Sequence, residues 1–558
     1  MSVQVRPTRD RQGRVYTPAV GARLRPFLWI SLIGFALLGA NGFYLSSVTA
    51  LTWFLGATQQ TFFYMLMVAF HLLFGFLLIV PFLIFGFAHL ATSWRRPNKA
   101  AIRFGLALLA TALVILVSGL VLVRLGGFEV RDPRAREVGY WLHVLAPLAA
   151  IALYVKHRLA GPRIRWEWAR RFSTLVAGFV VLMGLLHFQD PRSFGVKGPK
   201  EGKQYFYPSE AVTANGKFIP ARTMMMDDYC LKCHQDAYAG WFHSAHHLSS
   251  FNNKAYLSSV RETRRVALTR DGTTQAARWC AGCHDPVPFF SGEFDDPDYD
   301  DIHNPTSQAG ITCTTCHAIT NVNNTRGNAA YTIEEPQHYP FAFSDDPILQ
   351  WINNALVKAK PEMHKKTFLK PVIKETEFCS TCHKVGLPYG VNHYKDFVRG
   401  QNHHDPFLLS GVSGHGAQSF YYPDVAKSTC TECHMELKPS TDFGAKDFDG
   451  KGGREIHDHV FIGANTGLAT ILGDEETALK HAKFLSDKKV RIDIFGLRDQ
   501  GVIEGTLSGP LRPDVPELKA GSRYLVEVVV RTLGIGHPFS QGTVDSNEIW
   551  VELTARSG

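Results

Sequence analysis

All ten cysteines of the chain stand in one repeated arrangement, Cys-x-x-Cys-His: Cys230, Cys233 and His234; Cys280, Cys283 and His284; Cys313, Cys316 and His317; Cys379, Cys382 and His383; Cys430, Cys433 and His434. Two thiols at this spacing can form a pair of thioether bonds to one edge of a porphyrin, and the adjacent histidine then reaches the iron as proximal ligand. Zinc also takes paired cysteines, but it gives no reason for a histidine to follow each pair. No cysteine is left over for a disulfide. The spacing therefore predicts five covalent haem c groups, with electron transfer as their chemistry.

Each iron needs a sixth ligand or keeps an open position. Of 24 histidines, five lie in the apolar N-terminal part and five are proximal, which leaves fourteen for five distal positions. Methionine offers few candidates (Met224, Met225, Met226, Met363, Met435), so bis-histidine ligation, suited to relay, is the expectation. The motifs begin at intervals of 50, 33, 66 and 51 residues, which is no even tandem repeat. Between them the chain is polar and rich in Gly, Pro, Asn and Asp. Little ordinary core is expected there: haems supply the apolar interior, short helices carry motifs and loops carry distal ligands.

The elements ahead of the motifs are of another kind. Five apolar stretches, at 27–47, 62–92, 102–125, 138–159 and 172–187, each approach the ~20 residues a helix needs to cross a bilayer. Trp29, Trp53, Tyr64, Trp141 and Trp168 near their ends suit membrane interfaces. The net charge of +9 resembles a nucleic-acid signal, but much of the excess basic charge flanks these stretches and reads as topology, so no nucleic acid is expected. Arg6, Arg9, Arg11, Arg14, Arg23 and Arg25 before the first stretch, Arg95, Arg96, Lys99 and Arg103 after the second, and Arg158, Arg163, Arg165, Arg170 and Arg171 after the fourth belong on the cytoplasmic side. An odd number of spans then puts everything after about Gln189 on the outer, periplasmic side of a cytoplasmic (inner) membrane. The first stretch has no convincing small-residue cleavage site and reads as a retained anchor.

Histidines inside hydrocarbon are costly and point to partners. His71 and His89 lie 18 residues apart on the second span, His143 and His157 lie 14 apart on the fourth, and both spans run the same way. At 1.5 Å per residue these separations are ~27 and ~21 Å. His71 with His143 can hold one haem b toward the outer face, and His89 with His157 a second toward the inner face. A kink at Pro81 would absorb the mismatch, and Gly75, Gly86 and Ala88 leave room for a macrocycle. The competing reading makes His89 and His157 ordinary interfacial residues and His71 a helix-to-helix hydrogen bonder. His187, near the outer end of the fifth span, fits either a ligand or the lining of a quinone pocket.

The haem region resembles a known family, the multihaem cytochromes c related to the tetrahaem electron carriers of the hydroxylamine oxidoreductase branch. The resemblance is carried by Tyr238, Trp241, Ser244, Ala245, His246 and the run Ser249 to Asn253 after the first motif, by Gly310, Ile311, Thr312 and Cys313 at the third, and by Tyr339, Pro340 and Phe341 beyond it. It implies His246 as a distal ligand, with His247 the near alternative. His364, His415 in Gly414-His415-Gly416, and His457 or His459 stand where such cytochromes hold distal ligands; His459 is taken for the last. His303, His338, His393, His403 and His404 are the replacements, and His243 reads as packing. The N-terminal part is similar to the di-haem cytochrome b subunits of respiratory oxidoreductases.

From about 488 onward the pattern alternates as in strands, at 490–497, 524–533 and 548–554, with Gly and Pro breaks. A small β-sandwich is expected, from whose Gly534-to-Pro538 loop His537 could reach a haem. Gly542, Thr543, Asp545, Glu548 and Trp550 after it look like the family's terminal sheet.

The expected architecture is therefore an all-α membrane bundle of five transmembrane helices (1–190), a linker (191–225), a helix-and-loop pentahaem cytochrome c domain (226–485) and a β-sandwich (486–558). Its function reads as electron transfer between membrane quinone and a periplasmic or extracellular redox partner through two b haems and five c haems. Two other readings stand beside it: reduction or oxidation of a small nitrogen or sulfur compound at one open haem, and a cytochrome subunit of a larger respiratory or photosynthetic complex.

Overall fold

A computed structural model describes residues 19–556 apart from 126–127, 162–163, 165, 397, 421–423 and 540–548. The basic residues Arg6, Arg9, Arg11, Arg14, Arg163 and Arg165, and Gly542, Thr543, Asp545 and Glu548 of the tail, lie outside the described residues. The chain divides into two compact units, one of residues 1–195 with 337–367, the other of 196–336 with 368–558.

The first unit is helical. Its long helices are α1 (Arg25–Leu55), α2 (Phe62–Ser93), α3 (Lys99–Leu122), α4 (Pro133–Ala160) and α5 (Trp166–Leu186). All five are long and apolar enough to cross a membrane, and they make this a membrane protein. Their starts follow from capping chemistry. Thr61 accepts from the Tyr64 amide at 3.2 Å, Asn98 from Ala101 at 3.0 Å and Asp132 from Ala135 at 2.7 Å, each satisfying an amide that the first helical turn leaves without a partner. Gly56, at φ 66°, closes α1 in the left-handed conformation that a side chain would resist. Pro81 lies inside α2 and Pro147 inside α4, each between the two histidines of its helix. The helices Pro347–Ala359 and Glu362–Phe368 bring Leu356 and Met363 into the same buried cluster as Tyr44, Tyr64, Met65 and Met183.

The second unit is built of mostly short helices, one longer helix at Lys254–Asp271, loops and small β-sheets. Each motif lies on or beside a helix of one or two turns: Asp227–Leu231, Arg278–His284, Cys313–Ala318, Thr376–His383 and Thr431–His434. One turn is what the motif requires, because residues three apart share a helix face. Thr312 starts the third by accepting from the Thr315 amide at 3.1 Å.

Two expectations are corrected here. An ordinary core does exist: Phe206, Phe251, Phe289, Phe290, Phe294 and Tyr331 are buried together, with Cys283 and Cys382 packed against them. Phe206 meets Phe289 at 5.4 Å and Phe290 at 5.6 Å, a density of rings worth more than its area alone. These aromatics are scattered in the sequence, so no periodic pattern announces them. The tail, in turn, is one antiparallel sheet among the described residues. Its strands are β1 (Val490–Asp499), β2 (Leu507–Ser508) and β3 (Tyr524–Thr532), with β1 in the centre. The two long alternating segments pair with each other, Val490 opposite Thr532 and Asp499 opposite Tyr524, and residues 549–556 form no strand.

Candidate haem-binding sites

In the helical unit the four intramembrane histidines come together as two pairs. His71 faces His143 with ring centroids 6.0 Å apart and planes at 82°; His89 faces His157 at 6.3 Å and 89°. Three of the rings are fixed through Nδ1, while His89 has only a long Nδ1 contact to Ser93 and a backbone bond to Ala19. His71 Nδ1 lies 2.9 Å from Asn41 Oδ1, His143 Nδ1 3.0 Å from the Ile115 carbonyl, His157 Nδ1 2.9 Å from the Ala101 carbonyl and His89 Nδ1 3.5 Å from Ser93 Oγ. With Nδ1 so engaged, Nε2 is the nitrogen left to bind a metal, which is how ligating histidines are commonly oriented.

The spacing fits a metal between the rings. Imidazole–metal bonds of roughly 2.0–2.1 Å, plus the two ring radii, put centroids on the order of 6 Å apart. Glycine keeps the rings in place: a Cβ at Gly119 would stand 2.9 Å from His143 Cε1, and one at Gly105 3.1 Å from His157 Cε1. His187 is directed elsewhere, its Nδ1 2.8 Å from Tyr44 Oη.

In the second unit four of the five motif histidines are oriented by the same device. His234 Nδ1 lies 2.8 Å from Asp442 Oδ1, His284 Nδ1 3.0 Å from the Ser249 carbonyl, His317 Nδ1 2.7 Å from the Phe368 carbonyl and His434 Nδ1 2.6 Å from the Ile462 carbonyl. The motifs also adjoin one another through their thiols. Cys230 lies beside Cys313, Cys283 beside Cys382, and Cys379 beside Cys430. The first motif thus abuts the third, and the fourth abuts both the second and the fifth.

Two histidines face the fourth motif: His403 stands 5.7 Å from His383 at 78°, and it also lies 4.8 Å from His537. His246 faces His383 at 6.2 Å and 88°, and His537 faces His434 at 6.1 Å and 13°, the spacing seen in the helical unit. His459 lies beside His317 and is held by the His457 carbonyl at 2.8 Å. Burial keeps these imidazoles neutral, the form that ligates: His246, His459 and His537 are each lowered to about 4 and His383 to about 3. His364 belongs to the helical unit, near His338. His415 has its Nε2 2.9 Å from the Ser428 carbonyl, so the nitrogen that would bind iron donates to backbone instead. His247 is tied by Nδ1 to the Phe242 carbonyl at 2.8 Å, and His243 pairs with Asp474 at 2.7 Å.

His284 has a different setting. Its ring is stacked on Tyr256 at 4.2 Å and 12°, and His246 lies near enough to feel its charge. Asp285 next to it is fully buried and accepts from the Ser250 and Tyr256 hydroxyls; burial pushes its carboxyl up to about 7. His404, one of the replacement histidines, is 5% exposed, and neither ring nitrogen makes a hydrogen bond among the described residues. Nothing in its sequence neighbourhood marks it as buried. A polar ring so placed fits a group bound beside it.

Residues 229–318, which contain the first three motifs, match the family model described as cytochrome c554 and c-prime. The match makes that stretch similar to a cytochrome c, a resemblance that implies covalent haem c and electron transfer there. Comparison with curated proteins and with solved structures gives no match.

Proposed function

We propose that this chain carries electrons between a quinone in the membrane and a redox partner on the periplasmic side of a cytoplasmic membrane. In this reading His71 with His143 and His89 with His157 hold two b haems, and the five motifs hold five c haems. His246, His459 and His537 complete the fourth, third and fifth c sites. Bound haem supplies reversible one-electron chemistry at iron; the protein's part is to fix ring spacing, ligand basicity and dryness. The observation that carries the reading is the repetition of one spacing, imidazole centroids 6.0–6.3 Å apart, in a unit without motif cysteines as well as in the unit that has them.

The test is anaerobic mixing of the purified chain with menadiol, followed in the haem absorption bands. The reading expects reduction of b haem first and of c haem after it. Reduction of c haem with b haem left oxidised would contradict it.

A second reading has its own observation. The setting of His284, stacked on Tyr256 and next to the buried Asp285, supports an open iron at the second motif, where a small nitrogen or sulfur compound would bind. A high-spin c haem in electron paramagnetic resonance would favour it, and a fully low-spin set would remove it.

A further inference from the structure

Tyr44 and His187 form a polar pair that haem ligation does not use. Tyr44 is buried on α1, 5% exposed, and its Oη lies 2.8 Å from His187 Nδ1, just past the end of α5. Phe63 stands 5.8 Å from Tyr44. Phe188 stands 5.3 Å from His187 and is 85% exposed. The pair therefore has aromatic walls and an open side in an apolar unit. One turn back on the same helix, Asn41 is fully buried and bonds His71 Nδ1 at 2.9 Å; residues three apart on a helix are neighbours on its surface.

We infer that Tyr44 and His187 are the binding and proton-exchange site for the ring of a quinone or quinol. The inference rests on the quinone reading above and gives it a location. With Nδ1–H donated to Tyr44 Oη, the Nε2 lone pair of His187 accepts a hydroxyl proton from a quinol; with the other tautomer, Nε2–H donates to a quinone carbonyl. On oxidation the quinol O–H bond breaks, the proton passes to Nε2 and the electron leaves to a ferric haem iron of this chain, reduced to ferrous. A second such step, with its proton released to water, completes the quinone. The flat ring packs against Phe63 and Phe188.

The experiment is a binding titration of the whole haem-loaded chain with a fluorescent hydroxyquinoline N-oxide, a quinol analogue whose emission is quenched on binding. Haem content is counted in every sample. Tyr44→Phe and His187→Gln are each expected to weaken binding about tenfold, as loss of one well-placed hydrogen bond does, with haem content unchanged. Wild-type affinity in both variants overturns the site while leaving quinone exchange standing. No binding by the unaltered chain overturns quinone exchange itself. Phe188→Ala, at an exposed ring that cannot unfold the unit, serves as the second variant and is expected to weaken binding without loss of haem.

Discussion

The imidazoles of His71 and His143 face each other from α2 and α4 with centroids 6.0 Å apart, and both are held by Nδ1, one on Asn41 and the other on the Ile115 carbonyl. His71 does hydrogen-bond a neighbouring helix, through Asn41 of α1, but that bond takes Nδ1 alone. With both Nδ1 atoms engaged, Nε2 is the nitrogen each ring has left for a metal. His71→Ala or His143→Ala is expected to remove one b haem and leave the other, with the five c haems retained; a pyridine haemochrome assay counts them. His89→Ala or His157→Ala should remove the second. Retention of both b haems in all four variants would contradict the pairing.

Glycine supplies a gentler probe of the same sites. An added Cβ at Gly119 would lie 2.9 Å from His143 Cε1, closer than real Cβ contacts come, so the ring must move. Gly119→Ala should therefore shift the absorption or the potential of one b haem while sparing the other, and Gly119→Val should lower its occupancy. Unchanged spectra in the valine variant would mean that the His143 ring does not sit where iron needs it.

Distal ligation in the second unit separates residues that the sequence leaves equivalent. His246→Ala and His537→Ala are each expected to convert one low-spin c haem to high spin in electron paramagnetic resonance, at the fourth and fifth motifs respectively. His415→Ala should leave the spin states alone, because its Nε2 is committed to the Ser428 carbonyl.

The carboxylate behind His234 is a tuning element. Asp442 is buried and its Oδ1 lies 2.8 Å from His234 Nδ1; such a partner makes the imidazole more basic and favours ferric iron. Asp442→Asn should raise the potential of the first c haem, by on the order of 60 mV for each tenfold loss of ferric preference. A redox titration reads this directly, and an unchanged or lowered potential would contradict it.

What could be read in advance follows from how local each signal is. Cys-x-x-Cys-His is visible because covalent attachment demands five consecutive residues. The membrane histidines are visible because their surroundings are apolar, and even the mismatch of 18 and 14 residues does not prevent both pairs from meeting. Long-range partners are another matter. Asp442 lies 208 residues from His234, the Ile462 carbonyl that orients His434 comes from a loop, and no local pattern ties either to its motif. The aromatic cluster around Phe206 and Phe290 is assembled from single residues in separate segments. The inclusion of 337–367 in the helical unit leaves no mark in the composition of a segment that reads as a linker between motifs. Strand alternation at 490–497 and 524–533 is legible, but alternation cannot say whether strands pair with each other or face each other as two sheets.

The central claim, that one chain holds haem both in its membrane helices and on its five motifs, is tested most directly by a pyridine haemochrome assay on the purified, intact protein. Five haem c and two haem b per chain are expected. Five haem c with no haem b would contradict it.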